Sequence, residues 1–277
     1  MAPVLVVGAV LSVQLGAAAA TTLFDEVGPT GTVFYRLLFA ALVLVAVWRP
    51  SVRGADPRAL VLAAAFGVTL AAMNLCFYEA LDRIPLGITV TLEFVGPLMV
   101  ALLGSRRALD LAWVALAAAG IVLLTGPEGS AEAAGVALAL AAGGFWAVYI
   151  LLSARIGRAF SGGDGLALAM MVSAALMVGP GIASGGADLL DARVIAIGAA
   201  VALLSSAIPY SLELEALRRL RVGAFGVLMS LEPAIAALVG LVALQQDLAA
   251  AEVAGILFVV AASAGVLREP GAPAPRD

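Results

Sequence analysis

Apolar stretches long enough to cross a bilayer recur along the whole 277-residue chain, and the polar punctuation between them is too short for a soluble domain. A helix needs about 20 mostly apolar residues to traverse the hydrocarbon, where every backbone polar group must be satisfied within the segment. Read at that length, the chain divides into ten spans near 3–24, 31–48, 59–81, 84–104, 108–126, 135–154, 165–184, 194–214, 222–244 and 248–267. The breaks carry the usual turn residues, as in Asp25-Glu26-Val27-Gly28-Pro29 and Gly126-Pro127-Glu128-Gly129. Only 12% of residues are charged against 63% apolar, and mean hydropathy is +1.11, which leaves too little charge to cover a soluble surface. The predicted class is an all-α membrane protein of ten transmembrane helices. The Pro-rich end from Arg268 to Asp277 reads as a disordered cytoplasmic tail.

Several chemistries are excluded by what the chain lacks. It has no histidine and a single cysteine, Cys76, so no internal disulfide, Ser-His-Asp triad or Cys/His zinc site can form. No P-loop is present, so ATP does not drive the protein directly. No metal or cofactor is expected. Ala17 to Ala20 resembles a signal-peptidase site, but no Lys or Arg precedes the first span, so it is expected to stay as a membrane helix.

Lysine is absent, and the arginines set the orientation. With the N-terminus cytoplasmic, twelve arginines fall in cytoplasmic segments and two, Arg83 and Arg193, on the other side; Arg36 lies within a span. That bias puts both termini in the cytoplasm and requires an even number of spans. The halves also echo each other. Glu79-Ala80-Leu81 closes the third span and Glu215-Ala216-Leu217 the eighth; Leu92-Glu93-Phe94-Val95-Gly96-Pro97 in the fourth has its counterpart in Leu231-Glu232-Pro233 in the ninth. Five helices per half make the second half run upside down relative to the first. The expected organisation is two inverted five-helix repeats, residues 1–126 and 135–267, with a substrate site near the midplane between them.

The residues that should not be in a membrane point to that site. Glu93 and Glu232 lie nine to ten residues into their spans, near the bilayer centre at about 1.5 Å per residue. An ionised carboxylate there costs about 3 kcal/mol or more, so both are expected to face a cavity or a partner. Arg36 is either an ion-pair partner of Glu93 or a ligand group. Prolines 97, 209 and 233 remove helical donors for the carbonyls of Glu93, Ser205 and Met229. Asn74 and Tyr78 share one face of the third span, and Tyr210 occupies the matching place in the eighth. Gln14 in the first span, with Trp146 and Tyr149 in the sixth, complete the candidate binding residues. For each, helix–helix bracing is the competing role.

These motifs resemble a known family. The run from Ile84 to Pro97 followed by Ser105-Arg106-Arg107, together with Ile208-Pro209-Tyr210-Ser211-Leu212-Glu213 and Leu228-Met229-Ser230-Leu231-Glu232-Pro233-Ala234, is similar to the threonine/homoserine exporters of the drug/metabolite transporter superfamily. The similarity runs through all ten spans, as two EamA-type repeats. It implies ten helices around a central cavity and proton-coupled efflux of small neutral amino acids. One departure is visible: the Gly-Glu that usually follows the ninth span in such families is replaced by Gln245-Gln246-Asp247.

The expected function is therefore amino-acid export by proton antiport in the cytoplasmic (inner) membrane. The expected partners are an amino-acid substrate, protons and the lipid bilayer, with no nucleic acid. Two alternatives stay open at this stage: an exporter of lipophilic drugs or aromatic metabolites, and an intramembrane enzyme.

Overall fold

The computed structural model describes residues 2–52, 56–103, 108–125, 132–217, 219–220 and 222–268. The breaks expected at Ser105-Arg106-Arg107 and Gly126-Pro127-Glu128-Gly129, the arginines 53, 218 and 221, and the residues beyond Arg268 lie outside the described residues.

Among the described residues all regular structure is helical. The elements are α1 (Ala2–Thr21), α2 (Phe24–Trp48), α3 (Pro57–Leu81), α4 (Leu86–Glu93), α5 (Val95–Leu103), α6 (Ala108–Thr125), α7 (Ala133–Ala159) and α8 (Asp164–Gly185). There follow a 3₁₀ turn (Gly186–Leu190), α9 (Ala192–Ala202), a π segment (Leu203–Ala207), α10 (Ile208–Leu217), α11 (Val222–Met229), α12 (Glu232–Ala243) and α13 (Ala250–Arg268). Among the described residues seven helical stretches are long and apolar enough to cross a membrane, and Ala112–Thr125, Ala192–Ser206 and Ala250–Val266 are shorter apolar helices. The chain is a multi-pass membrane protein.

Local chemistry starts the helices where the sequence carries a cap. Asp56 accepts from the Arg58 N–H at 2.9 Å with Pro57 in the first turn, and Asp191 accepts from Arg193 and Val194. Two expected boundaries differ. The break at Asp25–Pro29 lies inside α2, where Gly28 takes φ 71 and kinks a helix that otherwise continues. The Val27 carbonyl beside the kink accepts the Ser184 hydroxyl at 2.8 Å, so a neighbouring helix supplies the partner the kink removed. The region after Arg155 also stays helical to Ala159 before α8 begins at Asp164.

The prolines act as helix breakers in three different ways. The stretch predicted at 84–104 divides into α4 and α5 at Phe94, three residues before Pro97. The stretch at 222–244 divides into α11 and α12 at Ser230-Leu231, and Pro233 sits in the first turn of α12, where its missing N–H would have had no partner anyway. Ahead of Pro209 the helix widens into a π turn, with the Ile208 N–H reaching the Leu203 carbonyl, and Ser12 of α1 donates to the Leu204 carbonyl at 2.8 Å.

α2 packs on α8, α3 on α7 and α8, α6 on α13, and α1 on α10 and α12, while α4 lies against α12. The largest core cluster runs through α1, α2, α3, α7 and α8, with Phe66, Leu37 and Tyr78 almost fully buried. This packing sets the break at Ser230-Leu231 against α1 and the break at Phe94 against α7.

Candidate functional site

Both acids expected near the midplane sit at these breaks. Glu93 is the last residue of α4 and Glu232 the first of α12. A broken helix leaves backbone polar groups unpaired at membrane depth, which is tolerated where the break lines protein or a cavity. Here the two breaks share one cavity of about 60 Å³, lined by Gln14, Arg36, Asn74, Glu93 and Glu232 together with Val13, Ala17, Met73, Phe77 and Val90. Five of the residues singled out from the sequence thus meet in one place.

Their contacts differ. The Gln14 Nε2 donates to Glu232 Oε1 at 3.1 Å across 218 positions of sequence. The other two oxygens, Gln14 Oε1 and Glu232 Oε2, are buried with no hydrogen-bond partner. Glu232 also lies within coulombic reach of Glu93 and of Glu213 on α10. Asn74 donates to the Leu70 carbonyl one turn back at 2.8 Å, which holds its amide against α3 at the cavity edge. Arg36 donates to the Tyr78 hydroxyl at 3.1 Å, with the guanidinium 5.4 Å from the centre of the Tyr78 ring. Tyr78 is therefore a fully buried support behind Arg36 and is not among the cavity-lining residues.

The aromatic candidates of the sixth span lie elsewhere. Trp146 meets Phe94 edge to face at 5.5 Å and lines a second cavity of about 230 Å³ with Pro97, Phe225, Met229 and Ser263. Phe94 borders this chamber one residue after Glu93, at the break itself. Tyr149 stacks on Phe66 at 5.0 Å and belongs to the core packing of α3 on α7. The side chain of Tyr210 lies outside the described residues. Among the described residues no three His, Cys, Asp or Glu side chains converge as a metal would require.

Sequence reading missed the apolar part of the wall. Ala17 follows from Gln14 and Phe77 from Asn74 by helical spacing, while Val13 and Met73 each lie four residues before these, at the same spacing. It also missed Gly143 on α7. A Cβ there would stand 2.6 Å from the Glu93 carbonyl oxygen, and one on Gly96 would run into the Gly143 carbonyl. The close crossing of α5 and α7 fixes the backbone at Glu93, and the Gly143-Gly144 pair was the available signal.

A cavity at helix breaks, with two acids and an arginine in an apolar chain, suits reversible binding of a small polar solute. Comparison with known proteins agrees. Residues 133–268 match the model of the EamA-like transporter family. The chain is 42% identical to the threonine/homoserine exporter RhtA of Salmonella typhimurium (strain SL1344), over 95% of this chain and 91% of that protein. It is equally 42% identical to the threonine/homoserine exporter RhtA of Escherichia coli (strain K12), over 95% of this chain and 90% of the other. One solved crystal structure, 19% identical, covers 95% of both chains with a TM-score of 0.63, a similarity of fold alone. Identity at that level along nearly the whole chain, with the family model matching its second half, makes this protein a member of the EamA-like transporter family.

Proposed function

We propose that the protein is a secondary exporter of small neutral amino acids of the threonine/homoserine kind, exchanging them for protons across the cytoplasmic (inner) membrane. The observation that carries this reading is the shared cavity between the two broken helices, with Glu232 and Glu93 on its wall. A buried carboxylate binds either an ammonium group or a proton, and each neutralises it. Binding the two in competition couples their opposite movements. The cavity has room for about four to six water molecules at about 10–15 Å³ each. That is small for a drug and close to what a compact polar amino acid needs once the walls part. The relatives named as exporters of threonine and homoserine support the same substrate class, and the chain is read as a carrier rather than an enzyme.

The reading includes ten spans as two inverted repeats, residues 1–126 and 135–267, with both termini cytoplasmic and a cytoplasmic tail at 268–277. The helix packing supports it. Exchanging the halves converts the α3–α7 contact into α10–α1, α3–α8 into α9–α2, and α5–α7 into α12–α1, and all of these pairs pack. The pairs α2–α8 and α6–α13 map onto themselves. At the last, a Cβ on Gly120 would meet the Gly255 carbonyl at 2.7 Å and one on Gly255 the Gly120 carbonyl at 2.7 Å, the reciprocity a two-fold axis produces. The repeated Glu-Ala-Leu motifs match too: Glu79 pairs with Arg83 and Glu215 with Arg219, each four residues on.

A second reading has its own observation. The chamber lined by Phe94, Trp146, Phe225 and Met229 is larger and more aromatic, and would suit lipophilic or aromatic metabolites. Counterflow in proteoliposomes decides. Labelled threonine or homoserine accumulating against an unlabelled pool, with a dependence on an imposed pH gradient, supports amino-acid export. Absence of counterflow with every amino acid, alongside protection of cells against lipophilic inhibitors in a growth panel, would replace it by the second reading.

A further inference from the structure

Gln14 and Glu232 are joined at one end and open at the other. Their shared hydrogen bond uses Gln14 Nε2 and Glu232 Oε1, which leaves Gln14 Oε1 and Glu232 Oε2 as the remaining acceptors of the pair. Both side chains are buried, at 1% and 8% exposure, and both open oxygens are without a partner. An unsatisfied buried acceptor costs about 1–3 kcal/mol, so two on residues that line one cavity form a site awaiting a donor. Glu232 also stands at the first turn of α12, where the aligned peptide dipoles favour negative charge. The donor this combination fits is a cation with several N–H groups. The same cavity carries Arg36, a planar guanidinium braced on Tyr78, whose donors match a carboxylate.

We infer that the cavity reads both ends of a free amino acid, seating its α-ammonium between Gln14 Oε1 and Glu232 Oε2 and its α-carboxylate at Arg36. This rests on the export reading above and adds the polarity of the bound solute and a positioning role for Gln14. The site selects the zwitterion rather than the side chain. A solute with either end blocked leaves one set of buried groups unpaired, the condition under which polar sites discriminate most strongly. The apolar remainder of the wall, Val13, Ala17, Met73, Phe77 and Val90, offers no hydrogen-bonding group, which leaves Asn74 and Glu93 as the other polar side chains near a substrate side chain.

The test uses the full chain in proteoliposomes, with labelled threonine counterflow and three competitors: threonine, N-acetylthreonine and threonine methyl ester. In the wild type both blocked compounds compete at least about tenfold more weakly than threonine, as expected for loss of one charge-assisted hydrogen-bond set. Gln14→Met weakens threonine and the methyl ester about tenfold, the effect of one lost polar contact, and leaves N-acetylthreonine unchanged. Arg36→Gln does the converse, weakening threonine and N-acetylthreonine and sparing the methyl ester. Ligand-induced thermal shifts of the purified wild-type protein give the same ranking without any variant, should a variant fail to fold. Threonine counterflow that either blocked compound inhibits as well as threonine does would overturn this inference alone. Equal weakening of all three ligands by either variant would do the same. No counterflow with any amino acid would overturn the export reading and this inference with it.

Discussion

The side-chain carbonyl of Gln246 accepts a hydrogen bond from the backbone N–H of Leu86, 2.9 Å away and 160 positions earlier in the chain. Pro85 precedes α4 and supplies no side-chain cap, so the first N–H of that half-helix would otherwise be unpaired. Gln246 reaches it because Gln245 takes the left-handed conformation (φ 54) and the Gln246 N–H folds back onto the Gly240 carbonyl at 3.0 Å. One turn thus closes α12 and caps α4, tying together the half-helices that carry Glu232 and Glu93.

Gln246→Ala is accordingly expected to cost about 1–2 kcal/mol, the loss of a cap that leaves a buried donor unpaired. The measurement is thermal unfolding of the purified protein in detergent, where Tm should fall. An unchanged Tm would mean that water takes over the cap.

Gly143 and Gly144 are neighbours with opposite expectations. A Cβ at 143 meets the Glu93 carbonyl at 2.6 Å, whereas one at 144 meets nothing within 4 Å. Gly143→Ala should destabilise by about 2 kcal/mol or more through the α7 crossing and displace Glu93. Gly144→Ala should be neutral or stabilising by up to about 1 kcal/mol, as alanine is the better helix former. Parallel thermal unfolding of the two variants checks the contrast.

Glu232→Gln keeps the shape of the side chain and its acceptor for Gln14 while removing the charge. Counterflow is expected to fall by about a hundredfold or more, with a change in stability below about 1 kcal/mol. Transport at the wild-type rate would rule out Glu232 as the coupling group.

The two ion pairs that close the Glu-Ala-Leu segments are expected to contribute little. The arginines of Glu79–Arg83 and Glu215–Arg219 are 30% and 52% exposed, and pairs of this kind are worth about 0–1 kcal/mol. Arg83→Ala and Arg219→Ala should each leave Tm nearly unchanged at moderate salt. A large drop in either would show that the repeated Glu-Ala-Leu-x-Arg segment does more than solvate a helix end.

Much of the site was legible because polarity is conspicuous in an apolar chain. Glu93, Glu232, Arg36, Asn74 and Gln14 stand out from their spans, and these five line the cavity. Trp146 and Tyr149 were harder, because an aromatic ring is at home in a cavity wall, a core or a lipid-facing surface alike. The structure puts Trp146 on the second chamber and Tyr149 on Phe66. Gly143 escaped notice because a glycine in a helix signals close approach without naming what approaches.

The sequence by itself determined that the chain lives in a bilayer, where most apolar segments end to within a turn or so, the start of α2 and the end of α7 excepted, and which few side chains are out of place there. Tertiary structure alone decided which of them meet. In water, the apolar stripe of a helix tells which face turns inward. In a bilayer the lipid side is as apolar as the core, so Val4, Val61 and Val242 are exposed while Val6, Val10 and Val33 are buried, with nothing in residue type to separate them. The rotation of each helix, and with it the meeting of Gln14 with Glu232 across 218 residues, is set by close packing against neighbours.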